Sequence, residues 1–139
     1  MIILDTNVVA ELMRPAPETR VLHWLASQAA EDLHVTAVTM AEILYGIELI
    51  GAARRRDVVR AAAEKMFEEV FADRILTFED RAAQAFSQIA SSRRRQGKPM
   101  SEFDAQNAAI TRVHGATLAT SNPYVFEGCG VRLVNPWEG

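Results

Sequence analysis

The sequence lacks the features of a secreted or membrane-bound protein. It contains one cysteine, Cys129, which cannot form a disulfide within the chain and is typical of a protein in a reducing cytosol. No apolar run approaches the roughly 20 residues that a membrane-spanning helix needs. The N-terminus lacks the basic and then apolar pattern of a signal peptide. These absences predict a cytoplasmic globular protein that has no membrane partner.

The chain also lacks the net positive charge that would attract nucleic acid over its whole surface. It has 15 lysines and arginines against 18 acidic residues, a formal charge of -3. The basic residues are concentrated in Arg54–Arg56 and in Arg93, Arg94, Arg95 and Lys98. Such clusters are usually solvated helix ends, which is the interpretation we favour for the first. For the second, a rim that contacts the phosphates of a nucleic acid is an equal alternative.

Short apolar segments alternate with longer amphipathic ones along the 139 residues. This alternation predicts an α/β protein, a three-layer α/β/α domain with a mostly parallel five-stranded sheet. The length suits a single domain, residues 1–139. The predicted strands are 2–4, 33–36, 75–78, 117–120 and 131–134, and the predicted helices begin near 8, 18, 39, 54, 80 and 101.

Four polar residues lie where a predicted strand ends or a predicted helix begins. Asp5 follows the first strand, Glu42 and Asp104 fall in the first turns of two helices, and Asn122 follows the fourth strand. In open parallel sheets, ligands bind beyond the carboxyl ends of the strands. These four positions are therefore the candidate site.

Helix capping explains each of these residues when it is considered alone. Thr39–Glu42 and Ser101–Asp104 both have the spacing of a capping box. Asn122–Pro123 matches an N-cap followed by proline at the first helical position, and Asp5 could cap the helix after its own strand. Taken singly, capping is the simpler interpretation at every position.

The four residues together favour a metal site. Three carboxylates at one edge of a sheet would repel one another unless a cation lay between them. Oxygen ligands without cysteine or histidine suit Mg²⁺ or Mn²⁺ better than zinc. A metal held in this way could activate water for hydrolysis of a phosphodiester bond. Capping and metal binding can coexist, because a carboxylate has lone pairs for both.

Four segments of the chain, in this order and spacing, resemble PIN-domain toxins of the VapC family, particularly its FitB-like branch. The resemblance covers Met1 to Trp137. It rests on the segments "MIILDTNVVAELMRP", "TAVTMAEILYGI", "ILTFEDRAAQAFSQIASSRRRQGKPMSEFDAQNAAI" and "GATLATSNPYVFEGCGVRLVNPW".

The resemblance implies an endoribonuclease that depends on Mg²⁺ or Mn²⁺ and acts as the toxin of a toxin–antitoxin pair. A cognate antitoxin would cover the active-site groove and would bind operator DNA with its other end. A homodimer is also implied. The family's acidic quartet would fall on Asp5, Glu42, Asp104 and the Asn122 position. Thr6, Asn7 and Thr120 would support these residues.

Asn122 is the one departure from the family's pattern, because an aspartate often occupies this position. An asparagine keeps a neutral carbonyl ligand but removes a charge, which weakens the case for a second metal more than for the first. It also leaves an alternative function open. The chain could be a weakly catalytic or non-catalytic subunit that binds an antitoxin and supports its grip on operator DNA.

Overall fold

A computed structural model describes residues 1–138 and contains a five-stranded parallel sheet. The strands lie in the order β3-β2-β1-β4-β5, so that β1 is central, and every neighbouring pair is parallel. The strands are β1 (Ile2–Leu4), β2 (Leu33–Thr36), β3 (Ile75–Leu76), β4 (Thr117–Ala119) and β5 (Arg132–Val134).

Within the described residues, six α-helices connect and cover the strands. They are α1 (Thr6–Leu12), α2 (Thr19–Ala26), α3 (Ala37–Glu48), α4 (Ala53–Lys65), α5 (Asp80–Arg95) and α6 (Glu102–Val113). Single 3₁₀ turns occur at Ala30–Asp32 and Pro123–Phe126, and a π-helical turn, Met66–Val70, extends α4. None of the helices within residues 1–138 is long and apolar enough to cross a membrane.

Alternation along the strands divides the hydrophobic core between the two faces of the sheet. Successive side chains of a strand point to opposite faces. Ile3 and Leu118 therefore pack in a cluster with α5 and α6, whereas Leu4 and Val35 pack with α1 to α4. The predicted three-layer α/β/α fold is confirmed.

Several predicted boundaries differ from the observed ones, most often where a side chain caps a helix. Helix α1 begins at Thr6 rather than near residue 8, because the Asp5 carboxylate accepts the Thr6 N–H. Helix α3 begins at Ala37 rather than Thr39, because Thr36 is its N-cap. Strand β3 ends at Leu76, two residues early, and the helix predicted to begin near residue 18 covers Thr19–Ala26.

The register of the sheet places the ends of its three central strands level with one another. Leu4 pairs with Ala119, so the next residues, Asp5 and Thr120, are neighbours. Ile3 pairs with His34, and the same register carried two residues further brings Thr36 level with Asp5. Parallel strands thus deliver several polar side chains to one edge of the sheet.

Candidate functional site

Asp5 is the centre of the polar cluster at this edge. It is 4% exposed, and each of its carboxylate oxygens accepts two hydrogen bonds. The Thr6 N–H (2.9 Å) and the Asn107 amide (3.4 Å) donate to Oδ1. The Thr120 hydroxyl (2.9 Å) and the Asn7 amide (3.2 Å) donate to Oδ2. Donors from three segments that are distant in sequence therefore fix this carboxylate.

The environment of Asp5 disfavours its negative charge despite these donors. Burial raises its pKa from 3.8 to about 6. The hydrogen bonds from Thr120 and Thr6 lower the pKa, and repulsion from Asp104 and Glu42 raises it further. Asp104 and Glu42 are thus close enough to act on Asp5, although the three residues come from different elements.

Glu42 is fixed in a different way from the one that the sequence predicted. Its carboxylate does not form a capping box with Thr39; instead, Oε1 accepts a hydrogen bond from the Thr6 hydroxyl at 2.7 Å. The helix is capped by Thr36, whose hydroxyl accepts the Thr39 N–H at 3.0 Å. The capping prediction was wrong by three residues, and Glu42 is therefore oriented toward α1.

Asp104 is half-buried in the first turn of α6. Ser101 caps this helix, as the sequence predicted, and its hydroxyl accepts the Asp104 N–H at 3.1 Å. Because the cap uses the backbone of Asp104, the carboxylate remains available to a ligand. Asn107 follows three residues later, on the same side of the helix.

Asn122 lies at the same edge but is not hydrogen-bonded to Asp5. It precedes the Pro123–Phe126 turn without capping it through its side chain, which corrects the predicted N-cap. Its backbone N–H donates to the Thr120 hydroxyl at 3.1 Å, and its Oδ1 accepts from the Tyr124 hydroxyl at 3.4 Å. Asn122, the fourth candidate residue, thus places a neutral amide oxygen at this edge.

Asn7 and Thr120 connect the two chain segments that follow β1 and β4. The Asn7 amide donates to the Thr120 hydroxyl at 3.3 Å as well as to Asp5. Its Oδ1 accepts the Ser121 N–H at 3.1 Å. These bonds hold the Ser121–Asn122 segment against the site.

Arg93 does not have the role that the sequence suggested for it. It is 9% exposed, and its guanidinium donates to the backbone carbonyls of Lys98 (3.0 Å) and Val125 (2.6 Å). A side chain that is buried and bonded in this way cannot contact an RNA phosphate. Arg94, Arg95 and Lys98 are exposed.

The chemistry of the donor set is suited to a hard cation. The three charged side chains at this edge present only oxygen atoms, as Mg²⁺ and Mn²⁺ prefer. Within residues 1–138, no three acidic, histidine or cysteine side chains are arranged closely enough to surround one ion. Magnesium usually takes one or two carboxylates and keeps several waters, so a tight cage is not required.

Asn107 also belongs to the site, although it was not among the predicted residues. It is 1% exposed, and it contacts Asp5, Thr36 and Thr39 from the middle of α6. A signal was present: an amide lies among Ala105, Ala108, Ala109 and Ile110, three residues after Asp104. A polar residue on the apolar face of a helix must be hydrogen-bonded inside the protein.

Comparison with known proteins gives a consistent result over the whole chain. Residues 2–127 match the model of the family described as PIN domain. The chain is 38% identical to plasmid stability protein StbB of Pseudomonas syringae and 36% identical to toxin FitB of Neisseria gonorrhoeae. It is 33% identical to VapC ribonuclease Y4jK of Sinorhizobium fredii. Each alignment covers 99% of both proteins.

Solved structures agree with these relatives. The structure of FitAcB from Neisseria gonorrhoeae superposes with a TM-score of 0.91 at 36% identity and covers 100% of both chains. That of FitAB bound to an IR36 DNA fragment gives a TM-score of 0.89 and covers 99% of this chain and 96% of the other. The resemblance to the FitB-like and VapC toxins is therefore confirmed.

The raised pKa of Asp5 predicts how stability depends on pH in the presence of a chelator. An acid whose pKa is higher in the folded state holds its proton more tightly there, so stability falls as pH rises from about 4 to about 6. The shift corresponds to at most about 3 kcal/mol. Urea unfolding of the wild type and of Asp5→Asn over this pH range measures the effect. The contributions of the other titratable groups cancel in the difference between the two proteins. A difference that did not change with pH would contradict the buried, charge-strained carboxylate.

The contacts of Arg93 predict a structural effect of its removal. Arg93→Met should lower the free energy of unfolding by about 3 kcal/mol, because buried carbonyl groups lose their donors. The control is Arg94→Met, an exposed neighbour that should change stability by less than about 0.5 kcal/mol. Equal stabilities of the two variants in urea would show that Arg93 is not a structural residue.

Proposed function

The chain belongs to the PIN domain family, and on that premise we propose that it is a metal-dependent endoribonuclease, the toxin of a toxin–antitoxin pair. One observation carries the proposal: burial of the Asp5 carboxylate raises its pKa, and Asp104 and Glu42 add repulsion. A fold does not need such repulsion, but a cation would relieve it. The similarity to VapC ribonuclease Y4jK and toxin FitB supports the activity and the role.

Asp5, Asp104 and Glu42 would hold Mg²⁺ or Mn²⁺, with the Asn122 carbonyl as a weaker ligand. When bound, the ion would polarise the phosphoryl group and activate a water for attack on it. Asp5 is held rigidly by four donors, so its oxygens need little rearrangement on binding. Asp104 is half-buried, so its side chain remains partly accessible to a ligand.

The protein must also attract a polyanion, although its own formal charge is -3. The exposed Arg94 and Arg95 end α5 and Lys98 follows it, and we assign these three residues to RNA phosphates. Such contacts position a nucleic acid without reading its sequence. Arg93 contributes indirectly, because it holds Val125 and therefore the segment that carries Asn122.

A cognate antitoxin is the proposed partner. A shallow, mostly apolar groove of about 250 Å³ lies between α1 and α3, and its lining includes Glu42, Met13, Ile43 and Ile47. An antitoxin segment with an apolar face would fit this groove and cover the acidic site. We propose a cytoplasmic homodimer of single PIN domains, residues 1–139, that meets operator DNA only through the antitoxin. The solved FitAB complex with DNA is consistent with this arrangement.

Asn122 favours a second candidate function, a subunit that binds the antitoxin and cleaves RNA weakly or not at all. Its Oδ1 is already engaged by the Tyr124 hydroxyl and carries no charge. The two functions differ in whether metal-dependent cleavage occurs.

Incubation of the antitoxin-free protein with total bacterial RNA tests both candidates, with Mg²⁺, Mn²⁺ or chelator and with new 5′ ends mapped by sequencing. Asp104→Asn should lower cleavage by about a hundredfold or more, because one charge near the reacting phosphate is lost. We prefer Asp104→Asn to Asp5→Asn, because the latter would place amide hydrogens against the groups that donate hydrogen bonds to the Asp5 carboxylate. The matched control is Glu102→Gln, an exposed acid in the same turn, which should cleave at the wild-type rate.

Discrete cuts that need metal and are absent from Asp104→Asn would establish the nuclease and identify its substrate. Equal cleavage by wild type and Asp104→Asn would refute the proposed site. A folded wild type that cuts no RNA under any condition would favour the binding subunit.

Asn122→Asp is the complementary test of the fourth position. Restoring a carboxylate should leave cleavage equal to wild type or increase it, because the added charge strengthens metal binding. The aspartate can still accept the Tyr124 hydrogen bond. The assay is the same RNA cleavage, measured over a range of Mn²⁺ concentrations. A clear fall in rate would show that a neutral side chain is required there.

A further inference from the structure

A chain of hydrogen bonds connects the interior of α6 to the Glu42 carboxylate. The Asn107 amide donates to the Thr39 hydroxyl at 3.0 Å, and the hydroxyls of Thr39 and Thr6 are 3.1 Å apart. The Thr6 hydroxyl donates to Glu42 Oε1 at 2.7 Å. On its other side, Asn107 Oδ1 accepts from the Thr36 hydroxyl at 2.5 Å. We refer to Thr36, Asn107, Thr39 and Thr6 as the relay.

In each hydrogen bond of the relay, only one of the two groups can be the donor. An ionised Asp5 can only accept, so the amide nitrogen of Asn107 and not its oxygen must face the carboxylate. Thr6 has a single hydroxyl proton, which it donates in the hydrogen bond to Glu42. The proton between Thr39 and Thr6 must therefore come from Thr39, whose oxygen accepts from Asn107.

The hydrogen-bonding groups of the relay are also fully paired. Thr36 accepts the Thr39 N–H and donates to Asn107, so both functions of its hydroxyl are used. Among the described residues, no buried side-chain nitrogen or oxygen lacks a partner. Thr36, Asn107 and Thr39 are buried and Thr6 is half-buried. Because the buried donors are fully paired, rotating one buried hydroxyl would leave another group unsatisfied, which is unfavourable in a low dielectric.

We propose that Asn107 is a positioning residue: through Thr39 and Thr6 it fixes the orientation of the Glu42 carboxylate, while its second amide hydrogen contacts Asp5. The inference deepens the proposed function, on which it rests, by naming the residue that couples two of the three acids. The branch to Thr39 is the stronger one, since its 3.0 Å distance is shorter than the 3.4 Å distance to Asp5. Groups that orient metal ligands typically change metal affinity 10–100-fold when they are removed.

A buried asparagine could instead serve only the stability of α6, and Thr111 provides a control for that role. Thr111 is buried one turn further along the same helix, and its hydroxyl donates to the Asn107 backbone carbonyl at 2.7 Å. Thr111→Val removes a buried hydrogen bond at nearly constant volume without interrupting the relay. A purely structural Asn107 would make Thr111→Val and the relay variants behave alike.

The first measurement is the side-chain ¹³Cδ signal of Glu42 in the isotopically labelled, metal-free protein at fixed pH. The variants are Asn107→Leu and Thr39→Val, the second of which keeps the side-chain volume in case the first does not fold. Both should shift the Glu42 signal, although neither changes a residue in hydrogen-bond contact with Glu42. Thr111→Val should leave the signal in place, and Thr39→Ser, which keeps the hydroxyl, should restore the wild-type signal.

Mn²⁺ titration by calorimetry of the same folded proteins, without RNA, gives the second measurement. Thr39→Val and Asn107→Leu should bind Mn²⁺ about tenfold more weakly than wild type, whereas Thr111→Val and Thr39→Ser should match it. An unmoved Glu42 signal in the relay variants would overturn the proposal, and so would unchanged Mn²⁺ affinity. Failure of the proposed function can be distinguished from failure of this proposal. The Glu42 signals of the wild type and the variants can be compared even if the wild type cuts no RNA.

Discussion

The burial of one carboxylate at the end of the central strand is the constraint on which the site depends. A carboxylate withdrawn from water is destabilised unless donors replace its hydration. Asp5 receives these donors from Thr6 and Asn7, from Asn107 and from Thr120. They lower the free energy of the charged form without removing the strain, because burial outweighs them and two further carboxylates add repulsion. The site is therefore fixed in geometry and deficient in positive charge.

The sheet explains how residues so far apart in sequence share one carboxylate. Parallel pairing in a fixed register brings the ends of β1, β2 and β4 to the same level. Asp5, Thr120 and Thr36 are then neighbours, whatever the length of the connecting helices. Arg93 adds a second restraint, since its buried guanidinium bonds the loop that carries Asn122 to the end of α5.

Much of the fold followed from local pattern, and much of the site did not. Alternation of apolar strands and helices was sufficient to predict the layered architecture, and Ser101 was correctly predicted to cap α6. Glu42 was misjudged because its spacing from Thr39 matches a capping box, while its real partner, Thr6, lies 36 residues away. Arg93 was misjudged because a triplet of arginines does not reveal which member faces inward.

The sequence by itself determined the strands and helices, the positions of the acids near their ends, and the family. These depend on local periodicity, on capping chemistry and on motifs that are contiguous along the chain. The tertiary structure alone decided which oxygen each donor contacts, why Asp5 resists ionisation, and that Asn107 belongs to the site. The physical reason is that hydrogen-bond direction and desolvation are properties of atoms in space, and the partners here lie as many as 115 residues apart.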